Sequence, residues 1–156
     1  TRLGKLDRGE YQAIILATAG LKRLGLESRI RANIQPEEML PAVGQGALGL
    51  EVLSSRTDLD FIGNALVDPV CTQLVGAERM VSRELGGSCQ VPLAGYAILQ
   101  DNGMLNLRAL VATTDGTRVI EAQKSAPLAN FEQLAIDVVA SLKEQGAEAL
   151  LNTNPN

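Results

Sequence analysis

Hydrophobic positions follow two different rhythms along this chain. In the second half, Val70, Cys71, Leu74, Val75, Ala77 and Val81 recur at helical spacing behind Asp68-Pro69, which predicts a helix capped by Asp68 with Pro69 in its first position. That stripe places Cys71 on the buried face. Three strand-like segments follow, roughly 91–99, 104–112 and 117–123, separated by Asp101-Asn102-Gly103 and Thr114-Asp115-Gly116. Asn-Gly and Asp-Gly pairs favour tight hairpins, so the segments are expected to form a three-stranded antiparallel meander. Asn130 is placed to cap a second helix with Phe131, Leu134, Ala135, Val138, Val139 and Leu142 on one side and Gly146 at its end. The two apolar stripes then cover the sheet, giving an α+β unit from 68 to about 151, with Asn152–Asn156 as a tail.

The first half has a different pattern. Ala13–Ala17 is a short continuous apolar run, which predicts a buried strand, and Gly20–Leu26 reads as a helix with Leu21 and Leu24 inward. Arg29–Ile34 alternates as a second strand before Pro36, and Ala47–Leu53 reads as a third after the Gly44-Gln45-Gly46 bend. This is an α/β pattern, but so few strands and helices cannot enclose a doubly wound sheet. Residues 1 to about 66 are therefore expected to be parts of larger domains. The sequence opens without Met, directly in Arg2-Leu3-Gly4-Lys5-Leu6, which reads as the tail of a helix and suggests a piece of a longer protein.

Composition narrows the chemistry. A net charge of −4 argues against a general binder of nucleic acid or anionic membranes. No apolar run approaches the roughly 20 residues of a membrane span. The 156 residues include no histidine, which removes the usual acid/base near neutral pH and the commonest zinc ligand. Two cysteines, Cys71 and Cys89, make no disulfide framework and suit a reducing, cytoplasmic compartment.

Cys89 stands in Leu85-Gly86-Gly87-Ser88-Cys89-Gln90-Val91-Pro92, between the end of one predicted helix and the start of a strand. Metal binding is disfavoured, since Cys71 is expected on an apolar helix face and no histidine adds a ligand. The preceding helix presents its negative end, which disfavours a thiolate, with Arg83 as a partial offset. The residues alone leave open a functional thiol and an inert loop cysteine. Arg2, Arg23, Lys5, Arg8, Lys22 and Arg31 read by default as solvated surface groups. Gly44-Gln45-Gly46 reads as a turn or hinge, and Glu37-Glu38 and Asp58–Asp60 as solvated helix starts or turns.

Three separated runs change this reading: Thr1–Asp7 with Tyr11–Ala17 and Gly20–Gly25, then Leu40–Ala47, then Leu85–Pro92. In this order they resemble the porphobilinogen deaminase (hydroxymethylbilane synthase) family, over essentially the whole chain but only about the last half of the family's length. The resemblance implies a dipyrromethane cofactor linked to Cys89 by a thioether. It implies that Arg2 and Arg23 bind the acetate and propionate groups of the pyrroles, with Gln45 and the backbone near Gly46 as further cofactor contacts. It divides the chain into the end of an α/β domain two (1–46), a crossover segment of domain one (47–67) and a cofactor-bearing α+β domain three (68–156). The implied reaction joins four porphobilinogens into hydroxymethylbilane with release of ammonia, and the implied partners are porphobilinogen, the growing oligopyrrole and the N-terminal half of the enzyme. The family's catalytic aspartate belongs to that half. No residue here matches its motif, so no catalytic acid is assigned and the isolated chain is expected to be inactive. The competing readings are a non-catalytic tetrapyrrole-binding domain and a thiol-redox domain using Cys89.

Overall fold

The computed structural model describes residues 2–86 and 92–152, and the chain divides into two compact units, 1–35 and 36–156. In the first unit, helix α1 (Arg2–Asp7) and helix α2 (Thr18–Arg23) are joined by a turn and irregular chain, and a single 3-10 turn follows at Glu27–Arg29. Arg29 pairs with Asp7, tying that turn back to α1. None of the three strands expected in the first half forms: Ala13–Ala17, Arg29–Ile34 and Ala47–Leu53 lie outside any ladder. A strand exists only by pairing, and these runs meet no partner strand whose backbone groups could complete their hydrogen bonds. Their apolar side chains accordingly stay in solvent, as at Ile15, Leu48, Leu50 and Leu53.

In the second unit, a 3-10 turn at Thr57–Leu59 leads into helix α3 (Asp60–Leu66), so Asp58 and Asp60 do mark a turn and a helix start. Helix α4 (Pro69–Glu84) begins as expected. The Asp68 carboxylate accepts the N–H of Val70 at 2.9 Å and of Cys71 at 3.1 Å, satisfying donors that a first helical turn leaves orphaned. Its buried face runs through Leu74, Ala77, Glu78, Val81 and Leu85, all shielded or partly shielded. Cys71 is exposed, contrary to its expected burial. The apolar stripe continues into the first turn of α4 in sequence, but that turn projects past the core.

The three expected strands pair as a meander, β1 (Leu93–Leu99), β2 (Met104–Ala112) and β3 (Val119–Pro127), antiparallel in the order β1-β2-β3. Both hairpins turn on a glycine in the left-handed region, Gly103 and Gly116, where a side chain would be strained. Odd positions of β2 (Leu105, Leu107, Ala109, Val111) are fully shielded and face the helices, joined by Ala97 of β1 and by Ile120 and Ala122 of β3. On the opposite face the buried Asn106 donates to Ser125 Oγ at 2.9 Å and accepts from Gln123 Nε2 at 3.2 Å, so its amide is satisfied.

Helix α5 (Phe131–Glu144) supplies Leu134, Ala135, Val138, Val139 and Leu142 to the core, as its pattern predicts. Asn130 precedes α5 but its side chain caps nothing; a 3-10 turn at Leu128–Asn130 leads into the helix instead. Gly76 brings α4 against α5, for a Cβ there would stand 3.0 Å from the Phe131 ring. Helix α6 (Ala147–Asn152) follows Gly146, buries Ala147 and Leu150, and extends order to Asn152, where the sequence suggests a tail. Residues 153–156 lie outside the described residues.

Candidate functional site

The segment Pro41–Ala47 is seated on the edge of β1, and the reason lies in strand geometry. Gln100 N–H donates to Met104 O and Ala112 N–H to Pro92 O, so even positions of β1 face β2 and odd ones turn their N–H groups away. Two of these outward donors are taken. Gly95 N–H donates to Pro41 O at 3.1 Å, and Ala97 N–H donates to Glu78 Oε1 at 2.8 Å. The other oxygen of Glu78 accepts Gly44 N–H at 2.7 Å. One carboxylate on α4 thus joins the edge of β1 to the first residue of the Gly44-Gln45-Gly46 turn.

The turn itself explains its sequence. Gly44 and Gly46 both adopt positive φ, 72° and 84°, which only glycine enters freely, and the residue between them is held with its side chain outward. Gln45 is exposed. Glu78 is only 6% exposed, and burial pushes its carboxyl above the usual carboxylate range although the N–H groups of Gly44 and Ala97 pull the other way. Desolvation is the larger effect here.

The other sequence candidates are placed as follows. Arg2 opens α1 and Arg23 closes α2; both are exposed, and among the described residues neither guanidinium has a hydrogen-bond or ion-pair partner. Cys89 lies outside the described residues, in the interval 87–91 between α4 and β1. Because Cys71 is exposed, its expected burial gives no ground for preferring Cys89, and that choice rests on the run around Cys89. A depression on the sheet face opposite the helices, lined by Glu37, Met39, Arg108, Glu121 and Gln123, contains none of these candidates. Among the described residues no cluster of three metal-ligating side chains occurs, and no helix is long and apolar enough to cross a membrane.

Comparison with known proteins separates the chain into two matched spans. Residues 1–60 match the family model described as porphobilinogen deaminase, dipyromethane cofactor binding domain, and residues 72–144 match that described as porphobilinogen deaminase, C-terminal domain. The chain belongs to the porphobilinogen deaminase family. The porphobilinogen deaminase of Paraburkholderia phytofirmans is 57% identical over 150 residues, which are 94% of this chain and 44% of the relative. That of Bordetella parapertussis is 51% identical over 97% of this chain and 48% of its own length. That of Laribacter hongkongensis is 47% identical over 97% of this chain and 49% of its own length. The chain thus spans somewhat under half the length of the porphobilinogen deaminases it matches.

Glu78 has no role in the reading from sequence, yet a signal was present. It is a carboxylate at the centre of an otherwise apolar stripe, between Ala77 and Val81, where an unpaired charge would be costly. Its partners are backbone groups, which carry no sequence signature.

Proposed function

We propose that this chain is the part of a porphobilinogen deaminase that holds a covalent dipyrromethane on Cys89. Arg2 and Arg23 bind the carboxylates of the pyrroles, and Gln45 and the backbone at Gly46 make further contacts. In the whole enzyme four porphobilinogens are joined head to tail into hydroxymethylbilane, one ammonia leaving for each unit added. The observation that carries this reading is the 57% identity to a porphobilinogen deaminase along 94% of the chain. Residues 1–46 belong in this reading to domain two, 47–67 to domain one and 68–156 to domain three, and the enzyme is cytoplasmic.

The chemistry of the donor set suits such a group. Two exposed guanidiniums without partners among the described residues offer planar, permanently charged forks that pair with carboxylates in a way Lys imitates poorly. When bound, dipyrromethane supplies the pyrrole carbon from which the chain is extended. Cys89 holds it through a carbon–sulfur bond, and Arg2 and Arg23 neutralise and orient the carboxylates that accumulate with each unit. No residue here is assigned to protonate the leaving amine, so turnover needs the remaining length that the relatives possess. The solvent-facing apolar residues of 48–67, among them Leu48, Leu50, Val52, Leu53, Phe61 and Leu66, support a reading in which further chain packs against this segment.

The test joins these 156 residues to the remaining length of the Paraburkholderia phytofirmans relative. The hybrid should form hydroxymethylbilane and carry a thioether adduct of dipyrromethane mass on Cys89, which Cys89→Ser abolishes and Cys71→Ser does not. The 156 residues alone should leave porphobilinogen unconsumed. An adduct on Cys71, no adduct, or one released by a thiol reductant would overturn the reading.

A further inference from the structure

We propose that Glu78 is a positioning residue for this reaction: its carboxylate locks the Gly44-Gln45-Gly46 turn to the edge of β1 and so fixes where Gln45 and the Gly46 backbone stand. The inference rests on the reading of that turn as a pyrrole contact and adds the group that holds it. Three observations carry it. First, the two oxygens of Glu78 are divided between donors that are far apart in the chain, Gly44 N–H at 2.7 Å and Ala97 N–H at 2.8 Å. Each is a charge-assisted bond at short range, the one to Ala97 buried and the one to Gly44 partly so. Second, the seat is shaped as well as bonded. Pro41 O accepts the neighbouring outward N–H of Gly95, and Val43 occupies the space a side chain at Gly95 would need. Third, the turn so held presents Gln45, which is exposed and whose side-chain amide has no partner among the described residues.

The fold asks here for an acceptor of the buried Ala97 N–H, but packing alone does not ask for a carboxylate that reaches Gly44 as well. Leu74, Ala77, Val81 and Leu85 make an apolar stripe in which a hydrophobic side chain would pack without the cost of desolvating a charge. What the carboxylate adds is a fixed link from α4 to both β1 and the turn. These are also the two elements that precede and follow residues 87–91 in the chain. The functional turn is thereby referenced to the same pair of elements as the segment containing Cys89.

The substitutions that separate positioning from packing are Glu78→Gln, which can accept from only one of the two N–H groups and turns a donor toward the other, and Glu78→Met, which completes the apolar stripe. In the 156-residue chain, amide hydrogen exchange at Gly44 should accelerate at least tenfold in both, while the β2 and β3 ladder amides keep their protection. In the active hybrid, both should lower kcat/KM for porphobilinogen tenfold or more. Combining Glu78→Gln with Gln45→Ala should be no worse than the more damaging single change, since Glu78 acts through the turn. The proposal is overturned by wild-type kinetics in Glu78→Met, by losses that add in the double variant, or by unchanged exchange at Gly44. A wild-type hybrid without turnover would instead overturn the functional reading and take this proposal with it.

Discussion

A Cβ on Gly95 would stand 2.9 Å from Val43 Cγ1. The close seat of Pro41–Gly44 on β1 therefore exists because residue 95 has no side chain. Gly95→Ala should destabilise the unit by overpacking, on the order of 1–3 kcal/mol, measured as a lower urea midpoint. Val43→Ala in the same background should recover part of that loss, because it removes the group that is struck. A Gly95→Ala variant as stable as the parent would show that Val43 yields at no cost.

Arg2 and Arg23 are predicted to hold pyrrole carboxylates. In the hybrid enzyme, Arg2→Leu and Arg23→Leu should each lose a charge-assisted contact of about 2 kcal/mol or more, roughly thirtyfold in elongation at limiting porphobilinogen. The loss should appear at low substrate and leave the urea midpoint unchanged, since both residues are exposed and stabilise nothing among the described residues. Normal elongation by either variant removes that arginine from the site.

Asp115 offers a pH test of the second hairpin. Its carboxylate accepts from Thr113 Oγ1 at 2.6 Å and from Thr117 N–H at 3.1 Å and Oγ1 at 2.8 Å, which lowers its pKa from 3.8 to about 2. A depressed folded-state pKa contributes stability that is fully present above the unfolded value and is lost as pH falls through the folded one. Asp115→Ala should therefore be less stable than the parent at pH 5, and the gap should close between about pH 4 and pH 2. A gap that persists at pH 2 would assign the effect to the turn backbone instead of the charge.

The second half of the molecule was legible because its elements are local. Asp68-Pro69, the two hairpin glycines and the stripe of α5 each act within a few residues, and all appear where expected. Two local signals failed. Asn130 had the right residue type without the backbone geometry of a cap, and Cys71 shared the period of α4 but not the reach of the core. In the first half, the apolar runs Ala13–Ala17 and Ala47–Leu53 and the alternating run Arg29–Ile34 form no strands, because pairing depends on a neighbour that periodicity does not specify. The Glu78 link was hidden for a related reason. Its partners are the N–H groups of Gly44 and Ala97, and only the fold reveals that these two face one carboxylate.

The two margins of the small sheet are not alike. Along β1, Pro41 O and Glu78 consume the outward donors of Gly95 and Ala97; along β3, Gln145 Nε2 reaches Glu121 O at 3.0 Å, beside the charges of Glu121 and Lys124. A fourth strand is opposed at β1, whereas at β3 it meets the outward backbone groups of Val119, Gln123 and Ser125, which have no partner among the described residues, and the charges beside them. At high concentration edge-to-edge association should thus use β3 in preference to β1, and association through side chains should begin at the apolar residues of 48–67 and be suppressed by polar substitutions there.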